Sequence, residues 1–215
     1  MNRTKKWNAT KGLISFVVTG ILLLAVFVWA ANTGSLRVTP IQLFRGLFIA
    51  FDPDVATVYD LRFPRIIISM FVGAALAVSG VLFQAVLKNP LTDPGIIGIS
   101  GGAGFAAVVF TALFPAMFRF TPLAAFAGGV LAFVIVYSLS WKGGLSPLRI
   151  VLVGVAVSTL FSGLSSAFNS MSGGNLSGVA SIVEGNISMK TWDDVTIVLE
   201  YLPVTLVISW LFAGK

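Results

Sequence analysis

The sequence predicts an all-α integral membrane protein with about six transmembrane helices. Apolar residues make up 57 % of the 215-residue chain and charged residues only 10 %, whereas a soluble domain carries roughly 25 % charge. Six apolar runs approach the ~20 residues needed to cross the hydrocarbon core of a bilayer. The chain also has no cysteine and no histidine, which removes thiol-redox, disulfide, zinc-finger and histidine-based catalytic readings. A net charge of +6 would point a soluble protein toward nucleic acid. Here the position of each charge relative to the bilayer matters more, and no nucleic-acid partner is expected.

The first expected span, Leu13–Ala31, follows the basic cluster Arg3, Lys5, Lys6 and Lys11. Its apolar core is longer than a signal-peptide core, so it reads as an uncleaved span. The second is about Ile66–Leu87 and the third about Pro94–Phe114. The fourth is about Pro122–Trp141, the fifth about Leu148–Ser170 and the sixth about Val195–Ala213. Between the first two spans, Thr39 can cap a short surface helix that starts at Pro40. The loops 88–93 and 142–147 are tight, and 171–194 is rich in glycine and serine and too polar to span. No soluble domain is expected at either end, so residues 1–215 read as a single transmembrane domain. The basic cluster before the first span predicts a cytoplasmic N-terminus. Asp93 would then lie inside, and Asp52, Asp54, Asp60, Glu184, Asp193, Asp194 and Glu200 outside.

No catalytic or nucleotide site is legible. A phosphate-binding loop needs a glycine five residues before its Gly-Lys pair, but Ser209 stands there before Gly214-Lys215. Activated-serine chemistry lacks a base, because histidine is absent and no lysine lies deep in a predicted span. Each acidic or basic residue falls in a loop or within about two turns of a span end, which argues against a proton-coupled secondary carrier. A passive pathway driven from another polypeptide remains.

Four groups of residues stand out. On the second span Ser69, Gly73, Ala77 and Gly80 share a face that Gln84 continues. Small residues four apart let helices approach closely, with Gln84 bonded across the contact. On the fifth, Ser158, Ser162, Ser165, Ser166 and Asn169 recur at three- to four-residue spacing beside Thr159. They form a polar stripe that must face other helices or a water-filled cavity. Interhelical hydrogen bonding and pathway lining both satisfy it. Arg62 and Arg65 flank Pro64 at the outer entry to the second span, where they can anchor to lipid phosphate or dock an acidic partner. Finally, Lys88-Asn89-Pro90-Leu91-Thr92-Asp93-Pro94-Gly95 makes the turn into the third span. Asp93 is expected to cap the third helix, with Pro94 at its first position.

These residues carry a family resemblance. Leu61-Arg62-Phe63-Pro64-Arg65, Gly73-Ala74-Ala75-Leu76-Ala77, Ser79-Gly80, Gln84, Asn89-Pro90-Leu91-Thr92-Asp93-Pro94-Gly95 and Gly98-Ile99-Ser100 occur in an order that resembles the FecCD/BtuC-type permeases. Those are the membrane subunits of ABC importers for iron–siderophore complexes, haem and vitamin B12. Leu152-Val153-Gly154-Val155-Ala156-Val157-Ser158 resembles the family's fifth-helix motif. Gly185-Asn186-Ile187-Ser188 with Trp192-Asp193-Asp194 resembles its segment before the sixth helix. The chain looks like the first six helices of a ten-helix BtuC-type permease.

The resemblance implies a permease subunit in a bacterial cytoplasmic membrane that moves a ferric siderophore or similar chelate. It implies no cofactor bound to this chain, because ATP is hydrolysed by cytoplasmic ATPase subunits. It also implies a second permease subunit and an extracytoplasmic binding protein docked on Arg62 and Arg65. The fifth helix would line the pathway through Ser158, Ser162, Ser165, Ser166 and Asn169. The alternatives are a self-contained secondary transporter or channel, or an inactive truncated permease.

Overall fold

The computed structural model describes residues 9–34, 36, 38–90, 93, 95, 97–141, 144, 146–172, 187–188 and 190–213. Arg3, Lys5, Lys6, Leu91, Thr92, Pro94, Glu184, Gly185 and Asn186 lie outside them. The elements described are helical: α1 (Ala9–Asn32), α2 (Pro40–Phe48), α3 (Pro53–Leu61), α4 (Phe63–Leu87), α5 (Ile99–Leu113), a 3₁₀ segment (Pro115–Phe120), α6 (Thr121–Ser140), α7 (Pro147–Met171) and α8 (Trp192–Ala213). Five helical stretches are long and apolar enough to cross a membrane: Thr10–Asn32, Pro53–Leu87, Pro115–Ser140, Pro147–Met171 and Trp192–Leu211. The protein is therefore a multi-pass, all-α membrane protein.

The helix of the third expected span starts later than the sequence suggests. It begins at Ile99 rather than Pro94, and its 15 residues rise about 22 Å. Asp93 does not cap it. The Asp93 carboxylate instead accepts the Gly95 amide at 2.6 Å, a local turn in which the side chain satisfies backbone two residues on. Gly98 occupies the N-cap position with φ +84°. A side chain there would be strained, and its Cβ would sit 2.6 Å from the Gly154 carbonyl oxygen. The left-handed break at Gly98 is what delays the helix.

The chain divides into two compact units, Met1–Ile67 with Lys190–Trp192 and Ile68–Met189 with Asp193–Lys215. In the first, Ala31, Val38, Val55, Val58 and Phe63 form the buried core, ringed by Phe27, Leu43, Leu47 and Trp192. Thr39 caps α2 as expected, its hydroxyl accepting the Gln42 amide at 3.2 Å. Asp52 caps α3 in the same way, accepting the Asp54 amide at 3.0 Å and the Val55 amide at 3.3 Å. The two caps are joined, because Gln42 Nε2 donates to the second Asp52 oxygen at 2.8 Å.

In the second unit α5, α6 and α7 pack around Ile97, Ala132, Val136, Val157 and Phe161. The tightest approach is between α5 and α6. A Cβ on Gly102 would lie 2.7 Å from the Gly128 carbonyl oxygen, and one on Gly128 would lie 2.5 Å from that of Gly102. Small residues let these backbones meet, as helices in lipid commonly do. Many large apolar side chains of α1, α4 and α8, among them Phe16, Ile21, Val81, Val86 and Trp210, are exposed, as lipid-facing helix surfaces are.

Candidate functional site

The polar residues of α7 do not share one environment. The helix buries Gly154, Val157, Phe161 and Ser165. Ser158 and Asn169 lie half-buried at the edge of that seam, whereas Thr159, Ser162 and Ser166 are exposed. The stripe thus runs obliquely from the packed seam onto a bare, small-residue face that includes Gly163 and Ala167. Ser165 turns its hydroxyl to the Phe161 carbonyl at 2.9 Å, and Thr159 does the same to Val155 at 2.9 Å. Both bonds are local to the helix, so neither hydroxyl is consumed by a neighbouring helix there. The side-chain oxygen of Asn169 is buried without a hydrogen-bond partner among the described residues.

The small-residue face of α4 is also bare. Ser69, Gly73, Ala77 and Gln84 are exposed and Gly80 is half-buried. A Cβ on Gly73 would meet nothing within 4 Å. The close helix contact expected there is not made by the described residues of this chain. In the turn that follows, Asn89 is half-buried and Pro90 exposed.

At the other end of α4, Arg62 joins α3 to α4, and Arg65 sits half-buried in the first turn. Arg62 carries a structural bond, donating from Nη1 to the Ala31 carbonyl at 2.7 Å. It thereby satisfies one of the carbonyls left open at the C-terminal end of α1. Gly34, φ +143°, makes room, since a Cβ there would lie 2.5 Å from Nη2 of Arg62. Arg149 repeats the device in α7, donating to the Ser140 carbonyl at the end of α6 at 3.2 Å. A third arginine, Arg119, pairs with Glu200, and Tyr201 donates its hydroxyl to the Arg119 carbonyl at 3.3 Å. Glu200 lies about two turns inside α8, so its carboxylate is neutralised where a span could not leave it bare.

Sequence reasoning gave Arg62 a lipid-anchoring or docking role and missed the bonding of all three arginines. Only Arg149 had a local signal, since it closely follows the end of α6, whose carbonyls need donors. A recess of about 410 Å³ lined by Gln42, Arg45, Phe51 and Asp52 opens beside α2. None of the α7 stripe residues line it.

The family model of the FecCD transport family matches residues 22–215. The chain belongs to the FecCD transport family. Among its FecCD relatives, the iron(3+)-hydroxamate import system permease protein FhuG of Bacillus subtilis is 32 % identical over 95 % of this chain and 64 % of its own length. The achromobactin transport system permease protein CbrC of Dickeya dadantii is 41 % identical over 70 % of this chain and 44 % of its own length. A solved inward-facing structure, described as a metal-chelate type ABC transporter, superposes with a TM-score of 0.65 at 26 % identity, covering 94 % of this chain and 62 % of that one. This FecCD chain therefore spans less than two thirds of the length of these relatives.

Proposed function

We propose that the chain forms part of the permease subunit of a binding-protein-dependent ABC importer, translocating a ferric siderophore or similar iron chelate across a bacterial cytoplasmic membrane. The observation that carries this reading is the family match across residues 22–215. The relatives' names supply the cargo class, an iron(3+)-hydroxamate and a siderophore. The bare polar face of α7 supports the same reading. Ser158, Ser162, Ser166 and Asn169 are the pathway-lining residues, offering hydroxyls and an amide to a polar cargo, with Ser165 buried behind them. ATP hydrolysis belongs to separate cytoplasmic ATPase subunits, which shift the pathway between inward- and outward-open states. A second permease subunit completes the pathway, and the N-terminus is cytoplasmic.

An extracytoplasmic binding protein docks on Arg62 and Arg65, where paired guanidinium groups suit carboxylates. Charge complementarity of this kind sets register and association rate more than bulk affinity. Gly73, Ala77, Gly80 and Gln84 on α4 form a packing face for helices outside this chain.

The test is uptake of a radiolabelled ferric siderophore by membranes containing the full-length permease, its ATPase and its binding protein. Uptake is expected to require ATP. It should be lost in Ser162→Trp at normal membrane expression, because a bulky ring on the exposed face of α7 obstructs a lined pathway. Uptake by the permease alone, insensitive to ATP, would establish a self-contained carrier instead.

A further inference from the structure

Helix α2 is apolar on two opposite sides, and the chain covers only one of them. Leu43 and Leu47 pack into the core beside Val55 and Val58. On the other side Ile41, Phe44 and Phe48, at i, i+3 and i+7, share one face. They are 82 %, 60 % and 74 % exposed, and Phe51 just beyond the helix is 85 % exposed. Phe44 and Phe48 touch each other, ring centroids 5.1 Å apart, and exposed Arg45 lies on the same face. The polar groups occupy a separate edge, where Gln42 and Asp52 are bonded to each other.

Nine residues rise only about 14 Å, too little to cross a bilayer. Yet α2 is tethered close to the membrane, between the span that ends at Asn32 and the span that continues into α4. Trp29, 69 % exposed one turn before the end of α1, is the residue type that sits at headgroup level. Thr39 follows within a few residues, and its cap fixes where α2 starts. A bare aromatic face this near the headgroups, bearing a single cation, has the composition of a helix lying in the interface plane.

We infer that α2 lies in the interfacial layer of the leaflet on its side of the membrane. Ile41, Phe44, Phe48 and Phe51 enter the acyl boundary, and Arg45 pairs with lipid phosphate. The helix thereby fixes the depth of the corner that carries Arg62.

The chain has no cysteine, so Phe44→Cys, Phe48→Cys and Asp54→Cys each accept one spin label on an exposed site. The labelled chains are reconstituted in phosphatidylcholine–phosphatidylglycerol vesicles, and collision with oxygen is compared with collision with a water-soluble nickel chelate. Oxygen is expected to dominate at 44 and 48, and the chelate at 54. Chelate dominance at 44 and 48 would overturn the inference in favour of a water-exposed face for a soluble partner. Exclusion of both reagents would overturn it in favour of cover by protein, such as a second copy. Arg45→Glu is expected to raise chelate collision at 48, and an unchanged value would remove the phosphate contact from the proposal.

Discussion

Single side chains hold together the ends of the helices. Arg62 crosses from the α3–α4 corner to the Ala31 carbonyl, so Arg62→Ala leaves the end of α1 without a charged donor. A hydrogen bond of this class contributes about 1.5–3 kcal/mol, and half-burial of Arg62 places the expected loss toward the lower figure. Thermal unfolding in detergent should show a lowered Tm, with Arg62→Lys restoring only part of it because lysine lacks the planar fork. An unchanged Tm in Arg62→Ala would mean that the bond contributes nothing net.

Asp52 gives a pH-dependent counterpart. The hydrogen bond from Gln42 holds its carboxyl below the usual range, opposed by desolvation and assisted by the Val55 and Asp54 amides. The folded chain therefore binds that proton less readily than the unfolded one. The resulting stabilisation is present above the ordinary aspartate range and is lost as pH falls through the depressed folded value. Gln42→Ala should raise the Asp52 titration midpoint, followed by carbon-13 NMR of the labelled carboxyl. A midpoint that stays in place would move the cause to the backbone amides.

At the scale of elements, glycines divide into those that touch and those that do not. Gly128→Ala would place its Cβ 2.4 Å from that of Ala106 and 2.5 Å from the Gly102 carbonyl oxygen. Overpacking of this kind costs about 1–3 kcal/mol. Gly73→Ala and Gly163→Ala meet open space within this chain. In this chain the first substitution should lower the unfolding temperature and the other two should not. Equal effects would mean that the α5–α6 approach is looser than described.

The apolar runs made five long helices legible, because a run long enough to cross lipid has few other solutions. The short elements were less so. Thr39-Pro40 announced α2, yet Asp52-Pro53, an equivalent cap-and-proline signal, was passed over and α3 with it. The third span was misplaced for a related reason. Asp93-Pro94 has the form of a helix start, but Gly95 takes up the carboxylate locally and Gly98 turns left-handed before Ile99. Cap chemistry alone could not tell which of two candidate starts the tertiary contact with Gly154 favours.

For the whole molecule, the bilayer sets the orientation. A cytoplasmic N-terminus, with α5 as the third of six crossings, puts the α2–α3 corner outside and the α6–α7 loop inside. Asp54→Cys should therefore react with an impermeant thiol reagent in intact cells, and Ser146→Cys only after permeabilisation. The reverse pattern would invert the topology. The polar stripe on α7 was legible from spacing, since serines three and four apart must share a helix side. Its division into buried Ser165 and exposed Ser162 was not, because that depends on where Phe161 and Val157 meet α5 and α6. The bonds of Arg62 and Arg119 were equally out of reach, as they join residues far apart in sequence.

The glycine contact between α5 and α6 has a mechanical consequence. Where two backbones touch, no side-chain layer is left to repack when one helix shifts along the other. A slide of about one turn would bring Ala106 or Ala132, the next residues on the same faces, against the opposite backbone in place of a glycine. Such a slide is therefore opposed by the same overlap that excludes alanine at Gly102 and Gly128. Of the displacements open to α5 and α6, a tilt about Gly102 and Gly128 is the one that preserves this contact, as at the pivot of a pair of scissors.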